Sequence, residues 1–211
     1  MNIREALRLY FVMGSTNCIQ DPVFVLEQAI QGGVTLFQFR EKGEGALVGE
    51  ERVQFAKKLQ VVCKIHKVPF IVNDDLELAI KLDADGVHIG QEDGNIDSVR
   101  RRIGNKLLGV SCHNLEEARQ AIENGADYIG VGPMYPTLSK LDTRDVVGPE
   151  LIAQLRQASI SIPLVGIGGI TAENARHVMR AGADGVAIIS AISKMESPQV
   201  AAKNLNGSSL Y

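Results

Sequence analysis

The sequence of 211 residues predicts an α/β protein with one domain over residues 1–211, folded as a closed (β/α)8 TIM barrel. Eight short runs of β-branched or apolar residues alternate with longer segments of helical period, which favours parallel strands joined by right-handed crossovers. The strand runs are apolar almost throughout, as expected where helices cover both faces of a sheet or the outside of a barrel. The length lies at the short end of this fold's range of about 200 to over 400 residues.

The predicted elements follow one another at regular spacing along the chain. The strands are predicted at Leu9–Met13, Thr35–Phe39, Phe70–Asn73, Gly86–Ile89, Leu107–Ser111, Tyr128–Val131, Leu164–Ile167 and Gly185–Ile188. The clearest helices are predicted at Glu50–His66, Leu115–Asn124, Pro149–Gln157 and Ala172–Ala181. Because no GxGxxG motif follows the first strand, an open doubly wound sheet that binds a dinucleotide is disfavoured.

An internal repeat supports the barrel. The segment GVSCHNLEEARQAIENGADYIG (109–130) aligns without a gap with GIGGITAENARHVMRAGADGVA (166–187), and DADGVHIG (83–90) is a third copy of the final part. In each copy a helix end, a glycine turn and an aspartate precede a strand. Asp127 and Asp184 are therefore predicted at the N-terminal face of the barrel, where residues serve stability rather than chemistry.

Composition excludes several classes of function. The net charge of −3 gives no indication of a broad basic face for nucleic acid. No apolar run approaches the roughly 18 residues of a membrane helix, and the charged first residues do not resemble a signal peptide. Cys18, Cys63 and Cys112 lack CxxC spacing and are expected to be reduced thiols. The expectation is a soluble α/β domain in the cytoplasm.

Polar or glycyl residues follow seven consecutive predicted strands. Since the carboxyl ends of barrel strands meet at one rim, these residues are expected to converge where barrel active sites form. They are Gln38–Lys42, Asn73–Asp75, Gly90–Asp93, Ser111, Gly132–Lys140, Gly168–Thr171 and Ser190.

The charges at this rim are consistent with two interpretations. Arg40, Lys42 and Lys140 are cations from different strands, and Asp74 and Asp93 are carboxylates from neighbouring strands. Two carboxylates and a diphosphate are a common way to hold Mg²⁺, which prefers hard oxygen ligands. Salt bridges that close the barrel mouth would use the same residues, and spacing alone does not decide between the two.

The motif GIGGIT (166–171) predicts a phosphate site. Gly168 and Gly169 would let the backbone approach a ligand, and Thr171 would cap a helix beginning at Ala172. Barrels frequently bind phosphate between the loops after strands 7 and 8, where helix N-termini favour an anion. A glycine-rich turn without function is the alternative.

The histidines point to no metal site or hydrolase. His66, His88, His113 and His177 lack zinc-ligand spacing, and His88 is expected to face the core or the barrel interior. Ser111 and His113 could be a nucleophile and a base, but no orienting acid lies nearby in the sequence.

Six segments together resemble the thiamine phosphate synthase family, from about Tyr10 to Ser193. They are QFREK (38–42), NDDLELAIKLDADGVHIGQED (73–93), LLGVSCHNLEEA (107–118), GADYIGVGPMYPTLSKLD (125–142), PLVGIGGIT (163–171) and GADGVAIISAI (182–192). The resemblance implies a barrel that joins hydroxymethylpyrimidine diphosphate to hydroxyethylthiazole phosphate through a carbocation, releasing diphosphate and forming thiamine phosphate.

The resemblance also implies roles for individual residues. The pyrimidine diphosphate site would comprise Gln38, Phe39, Arg40, Glu41, Lys42, Asn73, Ser111 and Lys140, of which Arg40, Lys42, Ser111 and Lys140 would be catalytic. The thiazole phosphate site would comprise Thr137, Leu138, Ser139, Gly169, Ile189 and Ser190. Asp74 and Asp93 would hold one Mg²⁺. Phe39 and Leu138 depart from the residues common in the family, and neither change removes a charge.

The implied partners are the two small-molecule substrates, with no nucleic acid or membrane, and a homo-oligomer is left open. Two other functions remain. A relative resembling thiazole tautomerases would share the barrel and move protons, but would not need a diphosphate site. A non-catalytic regulator that binds a phosphate ligand would keep Gly168 and Gly169 without needing Asp74 and Asp93.

Overall fold

A computed structural model describes residues 2–137 and 145–209 of the chain, and it shows a closed parallel barrel. Neighbouring strands pair in chain order from β1 to β8, and β8 closes the barrel against β1. The strands are β1 (Leu9–Met13), β2 (Leu36–Phe39), β3 (Phe70–Asn73), β4 (Gly86–Ile89), β5 (Leu107–Cys112), β6 (Tyr128–Val131), β7 (Leu164–Ile167) and β8 (Gly185–Ile188). All eight predicted strands are confirmed, with shifts of one residue at the start of β2 and the end of β5.

Helices lie between the strands in the described ranges. They are α1 (Ile3–Ala6), α2 (Pro22–Gln31), α3 (Gly49–His66), α4 (Leu76–Lys81), α5 (Ile96–Ile103), α6 (Leu115–Glu123), α7 (Gly148–Gln157), α8 (Ala175–Arg180), α9 (Ser190–Ser193) and α10 (Pro198–Ser209). The four predicted helices are present as α3, α6, α7 and α8. No described helix combines the length and the apolar character needed to cross a membrane.

Helix α8 begins three positions later than predicted, so the predicted capping role of Thr171 is wrong. The Asn174 side chain accepts a hydrogen bond from the Thr171 backbone N–H (2.9 Å) and donates one to the Gly169 carbonyl (3.0 Å). These bonds hold residues 171–174 in a turn. The turn gives these backbone groups partners outside a helix, as asparagine side chains commonly do.

Alternation along each strand separates two cores. In β2, Phe37 and Phe39 face the helix layer, where Phe39 packs on Phe55 and Phe70. Leu36 belongs instead to the barrel interior, a cluster that includes Tyr10 and Tyr128. This period of two residues places the side chain of Gln38 in the interior as well. The polar side chains of the interior therefore come from the inward-facing positions of the strands.

The repeated aspartates stabilise the N-terminal face of the barrel, as predicted. Asp127 accepts a hydrogen bond from the Leu108 N–H at the start of β5 (2.8 Å), and Asp184 accepts one from the Leu164 N–H at the start of β7 (2.9 Å). In the third copy, Asp85 accepts one from the Phe70 N–H (2.8 Å). Each aspartate thus ties the start of its own strand to the start of the neighbouring strand that precedes it in the chain.

Candidate active site

A cavity of about 470 Å³ opens at the C-terminal ends of the strands. Its lining combines charged side chains, amides, a hydroxyl and glycine backbone from six of the eight strand ends. The lining residues are Arg40, Lys42, Asn73, Asp74, Gly90, Gln91, Glu92, Asp93, Ser111, His113, Gly130, Gly132, Pro133, Thr137, Ile167 and Gly168. The convergence predicted for this rim is therefore present among the described residues.

Lys42 links two carboxylates at this cavity. Its ammonium group forms an ion pair with Asp74, and its Nζ lies 3.9 Å from Oδ1 of Asp93. The Asp74 N–H donates to the His88 carbonyl (2.8 Å), and Asp74 Oδ2 accepts from Asn73 Nδ2 (2.6 Å). Asp93 Oδ2 accepts from the Gly90 N–H (2.9 Å). Both carboxylates are therefore held at adjacent strand ends.

Burial raises the pKa of the Asp74 carboxyl above its ordinary value. The ammonium group of Lys42 opposes this rise, whereas the negative charge of Asp93 adds to it. Two carboxylates thus share one lysine at this site, which leaves room for a further cation.

The oxygen atoms of Asp74 and Asp93 fit a divalent cation that prefers hard ligands. The Lys42 ammonium already lies between them, where a positive charge is stabilised. No group of three or more His, Cys, Asp or Glu side chains forms a ligand cluster in residues 2–137 and 145–209. A metal at this pair would need oxygens from water or substrate, which is the usual coordination of Mg²⁺ in phosphate-binding sites.

Arg40 brings a second positive charge to the cavity. Its backbone N–H donates to the Met13 carbonyl (2.9 Å), which fixes the end of β2 against β1. Within the described part of the chain, its guanidinium has no carboxylate partner. Arg40 is thus available to an anionic ligand.

Three residues predicted for the pyrimidine diphosphate site do not line the first cavity. Gln38 is buried in the barrel interior, where its amide donates to the Tyr10 hydroxyl (2.6 Å), and Phe39 and Glu41 direct their side chains away from the cavity. The Phe39 ring packs in the helix layer. The buried carboxylate of Glu41 accepts hydrogen bonds from the Ser15 N–H (2.7 Å) and hydroxyl and from the Leu47 N–H (2.8 Å). Glu41 thereby joins the loops after β1 and β2. Because both side chains are engaged elsewhere, Phe39 and Glu41 could contact a ligand only through their backbone atoms.

A second cavity of about 440 Å³ adjoins the first. Thr137, Ile167 and Gly168 line both cavities. The second is completed by Pro136, Gly169, Ile170, Thr171, Ala187, Ile188, Ile189, Ser190, Ala191 and Lys194. The predicted thiazole phosphate residues Thr137, Gly169, Ile189 and Ser190 are thus brought together.

Glycine is required in the β7 loop because the loop packs closely on the loop after β6. Gly168 and Gly169 have φ values of 99° and 63°. A Cβ atom at Gly168 would lie 2.8 Å from Pro133 Cβ, and one at Gly169 would lie 2.6 Å from the Pro136 carbonyl oxygen. The backbone at these glycines therefore lies close to the loop after β6, and this contact shapes the wall that the two cavities share.

Lys194 is a residue that the sequence interpretation missed. It lies directly after α9 and lines the second cavity, where it adds a positive charge. Its position after the last strand was the available signal. Leu138, Ser139 and Lys140, which were predicted to contact substrates, lie outside the described residues.

The histidine beside Ser111 is His88, not His113. His88 Nε2 lies 3.0 Å from Ser111 Oγ across neighbouring strands, whereas His113 Nδ1 lies 2.8 Å from the Glu117 carboxylate. His88 faces the barrel interior, as predicted, and is buried. This pairing depends on the register between β4 and β5, which the spacing of residues along the chain does not give.

Two adjoining cavities at the C-terminal rim, with Arg40, Lys42 and Lys194 in their linings, are the arrangement expected of a barrel enzyme that acts on anionic substrates. The chain belongs to the thiamine monophosphate synthase family, whose model matches residues 9–192. The resemblance drawn from the six sequence segments is thereby confirmed.

Proteins with a similar sequence or structure match this chain over nearly its whole length. A thiamine-phosphate synthase from Bacillus cereus (strain B4264) is 61% identical over 201 residues, which cover 95% of this chain and 92% of that protein. The structure of a thiamine phosphate pyrophosphorylase from Pyrococcus furiosus has a TM-score of 0.88 and 33% identity, covering 99% of this chain and 98% of that one. A 3-hexulose-6-phosphate synthase with a TM-score of 0.65 and 18% identity shares the barrel fold.

Proposed function

We propose that this barrel joins 4-amino-5-hydroxymethyl-2-methylpyrimidine diphosphate to 4-methyl-5-(2-hydroxyethyl)thiazole phosphate, forming thiamine phosphate and diphosphate. The observation that carries this proposal is the pair of cavities with a common wall at Thr137, Ile167 and Gly168. One cavity has the charges suited to a diphosphate, and the other has the glycine-rich loop suited to a phosphate. Two substrates placed in them would meet at the shared wall.

The bond changes place few demands on acid or base groups. The C–O bond between the pyrimidine methylene and the diphosphate breaks, and the leaving diphosphate takes the electron pair. The resulting carbocation is stabilised by the electron-rich aminopyrimidine ring. The thiazole nitrogen then donates its lone pair to form the C–N bond of the thiazolium product.

The cations of the first cavity would stabilise the leaving group. Arg40 and Lys42 line that cavity, and Arg40 has no carboxylate partner among the described residues. Donors held in place before reaction stabilise developing negative charge without reorganisation at the moment of bond breaking. Lys140, by resemblance to the family, would add a third cation to the diphosphate oxygens.

Asp74 and Asp93 would hold one Mg²⁺, which would neutralise charge on the diphosphate when bound. The two carboxylates lie at adjacent strand ends around the Lys42 ammonium. The same ammonium lines the cavity and can donate to a diphosphate oxygen when another cation satisfies the carboxylates.

The second cavity would hold the thiazole phosphate. The glycine-rich loop at Gly168 and Gly169 lines it, together with Ser190 at the start of α9. Lys194 adds a positive charge. Fixing the phosphate there would align the thiazole nitrogen with the pyrimidine methylene, which is how positioning accelerates a reaction between two substrates.

A coupling assay tests the proposal. The purified protein receives both substrates and Mg²⁺, and thiamine phosphate is oxidised to its fluorescent thiochrome and measured. We expect product only when both substrates are present. No product from a folded protein would overturn the proposed function.

The same assay discriminates the tautomerase-like alternative. The His88–Ser111 contact is the feature that a proton-moving relative could use. We therefore include thiazole phosphate alone and follow it by NMR. Exchange or isomerisation of the thiazole without coupling would favour that alternative over the synthase.

A further inference from the structure

A row of hydrogen bonds crosses the barrel interior and ends at the first cavity. Gln38 Nε2 lies 2.6 Å from the Tyr10 hydroxyl, which lies 2.8 Å from the Tyr128 hydroxyl. Tyr128 lies 3.1 Å from His88 Nδ1, and His88 Nε2 lies 3.0 Å from Ser111 Oγ. The row, here called the interior chain, connects two residues from β2 and β5 through three residues that have no role in the proposed chemistry.

Glycines on two strands leave the space for the interior chain. A Cβ atom at Gly109 would lie 2.2 Å from Tyr128 Cζ and 2.4 Å from His88 Nδ1, and one at Gly130 would lie 3.2 Å from His88 Cε1. Neither glycine has a positive φ. Their use is therefore to make room for the Tyr128 and His88 rings, since the backbone conformation does not require glycine.

The amide of Gln38 sets the direction of the hydrogen bonds. An amide nitrogen can only donate, so the Tyr10 hydroxyl accepts from Gln38, and the hydrogen of that hydroxyl has the Tyr128 oxygen as an acceptor 2.8 Å away. With Tyr10 donating to Tyr128 and Tyr128 donating to Nδ1, a neutral His88 imidazole carries its proton on Nε2 and donates it to Ser111. In that arrangement the hydroxyl hydrogen of Ser111 would point into the cavity that Ser111 lines.

The two tyrosines remain donors across the working pH range. Burial raises the pKa of both the Tyr10 and the Tyr128 hydroxyl above the ordinary value of 10.0. Both side chains are almost completely buried, so water does not compete for their hydrogen bonds.

We propose that Tyr10, Tyr128 and His88 are positioning residues that fix Ser111 as a hydrogen-bond donor to the pyrimidine ring. The inference rests on the proposed function, because it takes the first cavity as the pyrimidine site. An aminopyrimidine ring nitrogen is an acceptor, and a serine hydroxyl that already accepts from His88 offers it a hydrogen. The interior chain thus determines the orientation of a group that contacts the substrate.

A double-mutant cycle on Tyr128 and Ser111 tests the proposal. Tyr128→Phe removes one hydroxyl and keeps the ring, and we expect kcat/KM for the pyrimidine diphosphate to fall about tenfold, the effect of losing one hydrogen bond. The KM for thiazole phosphate should not change. In Ser111→Ala the second substitution should have no further effect, because the interior chain acts through Ser111. Losses that multiply independently would overturn the proposal.

A control variant separates positioning from stability. Thr35→Val deletes a hydroxyl that accepts from the Leu9 N–H (2.9 Å) at the opposite end of the barrel. We expect it to lower the melting temperature and to leave kcat/KM unchanged. An equal loss of kcat/KM in Thr35→Val and Tyr128→Phe would assign the effect to stability and contradict the proposal.

The tautomer of His88 provides a readout that needs no activity. In ¹⁵N NMR of the full chain, we expect the proton of His88 on Nε2 in the wild type and a change of its signals in Tyr128→Phe. A wild-type proton on Nδ1 would reverse the direction of the chain and refute the inference. If the wild type forms no product, the proposed function fails, while this NMR result still decides the direction of the interior chain.

Discussion

Asp74 has two features that oppose folding and that a functional role would explain. Its backbone has a φ of 60°, a region in which asparagine and aspartate are among the few side chains tolerated. Its carboxyl is buried beside Asp93, which raises its pKa despite the ion pair with Lys42. Strained or electrostatically unfavourable residues of this kind cluster at functional sites.

Asp74→Asn should therefore raise stability and remove activity. A carboxyl whose pKa is raised on folding binds its proton more tightly in the native state, so wild-type stability decreases as pH rises from the unfolded pKa through the folded pKa. The penalty is present where the Asp74 carboxyl is ionised and is absent in the neutral amide. We expect the melting temperature at pH 7 to rise by a few degrees and the variant's advantage to vanish at low pH.

Thermal unfolding from pH 3 to pH 7, with coupling activity measured in parallel, checks this expectation. Asn suits the left-handed backbone, so the substitution introduces no new strain. Retained Mg²⁺-dependent activity in Asp74→Asn would contradict the assigned role of the carboxylate.

Lys140→Ala should reduce turnover much more than stability. The resemblance gives this lysine a place on the leaving diphosphate, and removing one such charge typically lowers turnover by about 100-fold or more. Lys106→Ala is the matched control, because Lys106 contacts Asp83 and the Ala84 carbonyl, away from the cavity. Steady-state kinetics of both variants measures the difference, and an unchanged turnover in Lys140→Ala would contradict the role assigned to Lys140.

At the scale of elements, the β7 loop has little freedom to change. Gly169→Ala would place a Cβ against the Pro136 carbonyl at a positive φ, so the loops after β6 and β7 must separate. Since this wall belongs to the second cavity, we expect the KM for thiazole phosphate to rise about tenfold or more, with a smaller change in the KM for the pyrimidine diphosphate. Kinetics with each substrate varied in turn provides the comparison, and equal changes in both KM values would argue against separate sites.

The opposite end of the barrel should affect stability alone. Asp184→Ala leaves the Leu164 N–H without its acceptor and removes the carboxylate that pairs with Arg156 and Arg4, and we expect the free energy of unfolding to fall by about 2–3 kcal/mol. Asp127→Ala removes the equivalent contacts to Leu108 and Arg100 and should behave similarly. Urea unfolding measures the loss, while kcat/KM below the unfolding transition should match the wild type. A selective loss of kcat/KM would contradict the structural role.

Sequence patterns predicted the elements well because their signals are local. Apolar runs located all eight strands, and the residue following each strand end identified most of the rim. The start of α8 was missed because Asn174 bonds to Gly169 and Thr171 across a turn, a tertiary feature that helical period does not contain. The outward direction of Phe39 follows from its alternation with Gln38 and could have been predicted. The contact of Glu41 with Ser15 could not, because it joins two loops that are separate in the sequence.

At the scale of the molecule, the closed barrel determines which distant residues meet. The contact between Ser111 and His88 and the interior chain through Tyr10 and Tyr128 depend on strand register around the barrel. These relations involve residues far apart in the sequence, so spacing along the chain could not reveal them. Once closure is known, the same register places both cavities at one rim.

Removal of the metal should stop the reaction without unfolding the barrel. The apolar core and the strand ladder do not depend on Asp74 and Asp93, whereas the diphosphate site does. We expect excess EDTA to abolish product formation in the coupling assay, added Mg²⁺ to restore it, and circular dichroism to stay constant throughout. Full activity in EDTA would contradict the need for a metal and would show that Lys42, Arg40 and Lys140 suffice to stabilise the leaving diphosphate.

The most direct test of the two-cavity arrangement is a crystal structure of the protein with thiamine phosphate, diphosphate and Mg²⁺. We expect the diphosphate beside Arg40 and Lys42, the pyrimidine ring beside Ser111, and the product's phosphate at Gly169 and Ser190. Thiamine phosphate bound in the opposite direction, with its phosphate beside Arg40, would contradict the assignment of one substrate to each cavity.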